Sequence, residues 1–363
     1  MRQLTRSSAI AAALLGAFVG LGCSGTDSPP AKGSGGAVSG AGTGGVPSQG
    51  TGGQTGGAAT NPVGGQSGSG GPAVNGGQAG SGGQAGSGGS TPVDTGPISG
   101  HVYVIEYPGK LMEISAAKQV VWEYQTPSLA VMFQVLPSGN VFFPHAGSPT
   151  GAMEVDRAKT VVWSYQSQSQ EVVGGERLAN GNTLLGEQGP AVALELDPAK
   201  AVVRSVPIAT TTTEAHRQIR HIKRLQNGNV LAALEGEGAV REFSPTGATV
   251  WEYTGLKSVH DAVRLENGNT LIGGGESLRV VEVTADGQIA WEFNSTDGPE
   301  LGLKWITNVQ VLPSGNILVC NWVGAGGGAG VHAFEVTRDK QVVWKLDDHD
   351  LVKSATMVLA VDD

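Results

Sequence analysis

A glutamate followed nine residues later by a large side chain recurs six times in this 363-residue chain. The pairs are Glu113/Trp122, Glu154/Trp163, Glu195/Arg204, Glu242/Trp251, Glu282/Trp291 and Glu335/Trp344, and only Arg204 departs from tryptophan. A fixed spacing repeated every 40–50 residues or so marks a supersecondary unit that cannot bury its apolar face alone and must stack on copies of itself. The clearest copy is 265–293, LENGNTLIGGGESLRVVEVTADGQIAWEF. One strand ends at Leu265, and Asn267-Gly268-Asn269 turns the chain into a second, Thr270–Gly273. A third, 278–283, alternates inward and outward residues and carries Glu282; Ala285-Asp286-Gly287 leads to a fourth, 288–293, with Trp291. Four short strands per unit, joined by Gly/Asn/Asp turns, predict a β-propeller blade. The first turn recurs as Ser138-Gly139-Asn140, Asn180-Gly181-Asn182, Asn227-Gly228-Asn229 and Ser314-Gly315-Asn316. Such turns reach positive φ at low cost and suit the right-handed twist of a hairpin.

Residues 100–363 number 264, which is 44 for each of six blades. The C-terminal TMVLAVDD, 356–363, matches the inner strand ITNVQVL, 306–312, and Gly100-His101 stands where the other copies have Gly-Asn. The expected fold is therefore an all-β, six-bladed propeller of four-stranded blades. Its ring is closed in a 1+3 manner, the C-terminus supplying the inner strand of a blade whose other three strands lie in 101–125. Such closure leaves no open sheet edge at the join.

Residues 1–23 have the features of an export signal. Arg2 and Arg6 precede an apolar, small-residue stretch, 8–22, too short to span a bilayer comfortably. Gly20-Leu21-Gly22-Cys23 resembles a bacterial lipobox, which implies lipidation of Cys23 and a membrane-anchored lipoprotein at the periplasmic or outer surface. Residues 24–99 repeat a Gly/Ser/Gln theme, as in GGQTGG (52–57) and GGQAGSGGQAGSGG (76–89). That composition buries too little apolar surface to offset ordering, so a disordered tether is expected, about 45–50 Å in root-mean-square span. A net charge of −9 argues against a nucleic-acid surface. There are two cysteines; with Cys23 lipidated, Cys320 has no partner, and its apolar strand predicts a small buried residue. No metal-type cysteine spacing is present, and neither a metal nor a cofactor is expected.

Scaffold residues obey the repeat; a site for one asymmetric ligand must break it. The tryptophans are accordingly expected to pack between blades and the glutamates to accept hydrogen bonds at blade junctions. Ligands of propellers gather on the face carrying the loops between second and third strands and those entering the inner strand. At the second-strand ends stand Glu106, His145, Glu187, Leu234, Gly274 and Asn321; at the inner-strand starts, Met132, Gly174, His221, Asp261, Asn308 and Met357. His260, His216, Trp305 and Trp322 adjoin them. The ligand-binding candidates are Glu106, His145, Glu187, His221, Asp261, Asn308, Asn321 and Trp322, and the catalytic candidates are His221, His260 and Asp261. His260 and Asp261 point to opposite faces of a strand, whereas His221 and Asp261 hold equivalent positions in adjacent blades. They are expected to meet, with Asn308, as a polar floor, the carboxylate raising the histidine pKa. The copy containing Glu335 alone carries an insertion, GAGGGAG (324–330), which stretches its turn-to-glutamate distance to 19 against 12–14 elsewhere.

Leu-x-Asn-Gly-Asn followed by Glu-Val-x-x-x-Gly-x-x-x-Trp resembles the repeats of PQQ-like propellers and, more closely, of arylsulfotransferase-like propellers. The segment 259–269, VHDAVRLENGN, is similar to the His-Asp…Leu-x-Asn-Gly-Asn stretch of the latter. For that group the resemblance implies a central histidine helped by basic residues, a role open here to His260, or to His221 with Arg220. Quinoprotein dehydrogenases carry an adjacent cysteine pair and a calcium site on eight blades; this chain lacks that pattern, so a quinone cofactor is not expected. The sequence leaves three functions open. The first is an envelope module binding a small molecule, glycan or protein at the mouth. The second is an envelope enzyme of sulfotransfer, hydrolase or lyase type using a mouth histidine, and the third is an assembly module. A histidine beside a carboxylate favours the enzyme, an aromatic-lined mouth the binder, a flat apolar face the assembly module.

Overall fold

The computed structural model describes residues 98–361, so Cys23 and the expected signal and tether lie almost wholly outside the described residues. Six four-stranded antiparallel sheets follow one another around a ring, and among the described residues the helical segments are three short 3-10 turns. Blade 1 contains His101–Glu106, Lys110–Ile114 and Val120–Gln125, and its inner strand is the last of the chain, Ala355–Val361. Tyr103 lies opposite Leu359 and Val104 opposite Val358. The 1+3 closure expected from the C-terminal match is therefore present. The inner strands of blades 2 to 6 are Gln134–Val135, Glu171–Arg177, His221–Arg224, Asp261–Arg264 and Ile306–Val311.

The spacing of nine has a structural cause. In every blade the glutamate of the third strand lies directly opposite the aromatic, or Arg204, of the fourth, and a bulge follows the glutamate. The turn joining the two strands places the residue five beyond the glutamate at positive φ. Lysine occupies it in four blades (Lys118 57°, Lys159 69°, Lys200 71°, Lys340 65°) and glycine in two (Gly247 85°, Gly287 84°).

Packing is organised by blade junction. Val104 meets Leu318 and Cys320 between blades 6 and 1, and Ile105 meets Phe133 and Phe143 between blades 1 and 2. Phe142 lies against Leu185 and Leu194, Leu184 against Ile222, Leu231 against Ile272, and Phe293 against Val309 and Phe334. Large buried side chains thus couple each sheet to the next rather than filling one central core.

The repeated glutamates sit at these junctions as acceptors. The turn asparagine of the same blade donates to each: Asn140 to Glu154, Asn182 to Glu195, Asn229 to Glu242, Asn269 to Glu282 and Asn316 to Glu335. His101 takes that place in blade 1, 2.6 Å from Glu113. An arginine of the following blade then pairs with the other carboxylate oxygen. Arg157, Arg177, Arg224, Arg264 and Arg338 serve Glu113, Glu154, Glu195, Glu242 and Glu282. Four of these guanidiniums also lie 4.0–5.5 Å from the tryptophan ring paired with the same glutamate, a cation–π contact on top of the ion pair. Trp122, Trp251 and Trp291 donate their N–H to carbonyls of the next blade. At the last junction the Ile98 amide donates to Glu335 instead, at 2.8 Å. Cys320 is fully buried, and burial pushes its thiol up to about 12.

Candidate functional site at the propeller mouth

The six inner-strand positions form an uneven ring. Blades 1 and 2 contribute Met357 and Met132, which share one apolar cluster. Blade 3 contributes Gly174, where an added Cβ would stand 2.8 Å from the Arg220 carbonyl, so only glycine lets the neighbouring inner strand approach. Blades 4, 5 and 6 contribute His221, Asp261 and Asn308, all buried. These three meet: His221 Nδ1 contacts Asp261 Oδ1, while Asn308 Nδ2 and the Val309 amide donate to Asp261 Oδ2, each at 2.9 Å. The polar floor expected from repeat alignment is thus formed by residues from three successive blades.

Its electrostatics differ from expectation. The sequence reading has Asp261 raising the His221 pKa; burial instead drives it well below the ordinary histidine value, and Lys223 adds to the depression. Asp261 already accepts from Asn308 and Val309, so its charge is not spent on the imidazole alone. At neutral pH His221 is therefore neutral. With Nδ1–H donated to Asp261, its Nε2 carries a free lone pair and has no partner within the protein.

Above the floor runs an arc of side chains from the loops. Tyr107 of blade 1 lies 6.1 Å from Trp322 of blade 6, Trp322 lies 5.7 Å from Trp305, and Trp305 lies 5.5 Å from the His260 ring of blade 5. His260 Nε2 is 3.7 Å from Glu235 of blade 4, which pairs with Arg220 and with Arg217. His216 reaches Glu171 of blade 3 at 2.7 Å. Burial first, then the charge of Arg220, holds the His260 pKa well below its usual value. Four of the buried polar atoms without a hydrogen-bond partner in the protein belong to these mouth residues: His221 Nε2, His260 Nε2, Trp305 Nε1 and Asn308 Oδ1.

The remaining candidates are engaged internally. Glu106 accepts from the backbone amides of Lys353 and Ser354, fixing the loop that leads into the closing strand. Asn321 accepts from the Lys304 and Trp305 amides and donates to the Val331 carbonyl. Glu187 accepts from Ser167 at 2.6 Å. His145 lies on the far side of the ring, its Nδ1 between Ser128 and the Pro149 carbonyl. Trp322 donates to Ser354 at 2.9 Å while its ring joins the arc. Sequence reading missed Glu235, one residue beyond the varied position Leu234, and Tyr107, one beyond Glu106; both fall where strands give way to irregular loops.

Solved structures of other propellers share this architecture. A protein of unknown function from Bacteroides caccae aligns with a TM-score of 0.65 at 24% identity, over 71% of this chain and 97% of its own. A streptogramin B lyase aligns with a TM-score of 0.51 at 13% identity, over 71% of this chain and 84% of its own. These likenesses are of fold. No family model and no curated protein matches the sequence. The class is thus a six-bladed β-propeller.

Proposed function

We propose that this propeller binds a small organic ligand at its mouth, as an exported module tethered to the membrane through a lipid on Cys23. The observation that carries the reading is that four buried polar atoms of the mouth, on His221, His260, Trp305 and Asn308, lack a hydrogen-bond partner. Each unsatisfied buried group costs about 1–3 kcal/mol, so their gathering on three successive blades calls for a partner from outside the chain. The aromatic arc Tyr107–Trp322–Trp305 offers flat, half-buried surface for an apolar or planar part of the same ligand. A thermal-shift screen of the purified protein against sugars, aryl sulfates and peptides identifies the ligand class. Aryl sulfates come first because of the arylsulfotransferase-like resemblance. Trp305→Ala should then weaken binding of any hit at least tenfold, and unchanged binding would remove the mouth from consideration. Incorporation of labelled palmitate by the precursor, absent in Cys23→Ala, tests the anchor.

A second reading is favoured by one observation, the contact of His221 Nδ1 with Asp261 and the free Nε2 opposite it. A carboxylate that fixes the tautomer and leaves Nε2 available makes a general base. In that case the module is an enzyme of sulfotransfer, hydrolase or lyase type. Mass spectrometry of each hit after incubation separates the two: a changed product lost in His221→Ala supports turnover, and recovery of intact ligand supports binding alone.

A further inference from the structure

At the outer part of blade 6, away from the mouth's floor, two histidines face each other. His332 immediately precedes the strand Ala333–Val336 and is fully buried. Its backbone is pinned on both sides, its amide donating to the Leu346 carbonyl at 2.8 Å and its carbonyl accepting from the Asn321 amide at 2.8 Å. Neither ring nitrogen has a hydrogen-bond partner in the protein. The ring of His349 stands 4.5 Å away, centroid to centroid, tilted by 56°. His349 belongs to Asp347-Asp348-His349-Asp350, the start of the strap that carries the chain from blade 6 to the closing strand of blade 1.

From this geometry we propose that His332 and His349 bind a divalent transition-metal ion of the zinc, nickel or copper class, stapling the closing strap to blade 6. Two imidazoles sharing one ion at about 2.1 Å place their ring centroids roughly 4.6 Å apart at a 90° angle and roughly 5.3 Å at a tetrahedral one, so the 4.5 Å separation fits the cis positions of a square or octahedral ion. Imidazole nitrogen suits these borderline ions and not magnesium or calcium. Neither ring nitrogen of the buried His332 is spent on a hydrogen bond, which leaves a lone pair open to an ion. Among the described residues no three His, Cys, Asp or Glu side chains stand together as a ligand set. The site is therefore a two-imidazole chelate, completed by water. His349 is half-buried and gives the ion a path in.

Zn2+, Ni2+ and Cu2+ titrated into the full chain, with Mg2+ and Ca2+ as controls, test the proposal by thermal shift. One of the three ions should raise Tm by about 5–10 °C at a hundredfold excess over Kd, and His349→Ala should lose that shift while melting normally without metal. Absence of a shift with all three ions, an equal shift in His349→Ala, or an equal shift with Mg2+ would overturn it. If His349→Ala does not fold, the electron paramagnetic resonance spectrum of the Cu2+ complex decides. Two coupled imidazole nitrogens, reduced to one in His349→Gln, support the chelate; an unchanged count refutes it.

Discussion

Three histidines of this protein are kept neutral by burial, and that has a consequence for acid stability. His221, His260 and His332 all have pKa values below the ordinary one, burial being the largest cause in each. An unfolded histidine takes up its proton near pH 6.5, about where model peptides do, while the folded protein resists. Between those points the unfolded chain binds more protons, so stability is complete above about pH 6.5 and falls as pH drops below it. For His332 the loss runs down to about 4. Glu113 and Glu282 add a second, lower limb. Burial works against their charge but is outweighed, for Glu113 by His101 and Arg157 and for Glu282 by Asn269 and Arg338, so both are held below the ordinary carboxylate range. Thermal melts between pH 8 and 4 should show Tm declining from about pH 6.5, with a shallower decline in His332→Asn; a flat profile would contradict the neutral-histidine account. The position of His221 beside Asp261 was legible in the sequence because both occupy the same place in the repeat. The direction of the His221 shift was not, because it depends on how completely three blades exclude water, a quantity that residue spacing does not carry.

At the scale of the element, the recurring unit is a junction clamp rather than a blade. The glutamate–tryptophan spacing was readable because the bulge and tight turn between strands three and four fix it through the backbone. The arginine completing the clamp was not readable. It comes from the end of the inner strand in Arg177, Arg224 and Arg264 but from the outer turn in Arg157 and Arg338, so no single offset finds it. Arg264→Ala leaves the buried Glu242 carboxylate with its asparagines alone and removes the guanidinium over Trp251. A loss of about 2 kcal/mol is expected in urea unfolding. Glu252→Ala, which breaks the more exposed pair with Arg241, should cost less than about 1 kcal/mol. Equal losses would mean that the clamp is no more than a surface ion pair. Gly287 offers a complementary check. An added Cβ there meets nothing within 4 Å, and four sister blades carry lysine at the equivalent position, at φ of 57–71° against 84° for Gly287. Gly287→Lys should therefore cost no more than about 1 kcal/mol. Gly238→Ala should be far worse, since its Cβ would stand 1.8 Å from the Leu256 carbonyl.

For the whole molecule, the ring depends on the last strand. Ala355–Val361 pairs with His101–Glu106 and buries Val358 against blade 6. Deleting 354–363 exposes the edge of blade 1 and opens two junctions; a loss of several kcal/mol follows, a large share of a typical domain's stability. Cooperative melting at unchanged temperature would contradict the closure's role. Closure was legible because the C-terminal residues repeat an inner strand, and the polar half of the mouth was legible because it breaks the repeat. Of the aromatic arc, Trp305 and Trp322 were legible beside the varied positions, whereas Tyr107 and the histidine pair of blade 6 were not, since Tyr107 and His349 lie in loops whose paths no periodicity sets. The central claim is that function resides where the blades differ, at His221, Asp261 and Asn308. Isothermal titration of one screened ligand against wild type, His221→Ala, Asp261→Ala and the rim control Glu252→Ala tests it most directly. Binding should fall at least tenfold in both floor variants and stay within about twofold in the control, all proteins melting cooperatively. Full affinity in His221→Ala and Asp261→Ala would show that the floor is scaffold and that the ligand binds elsewhere.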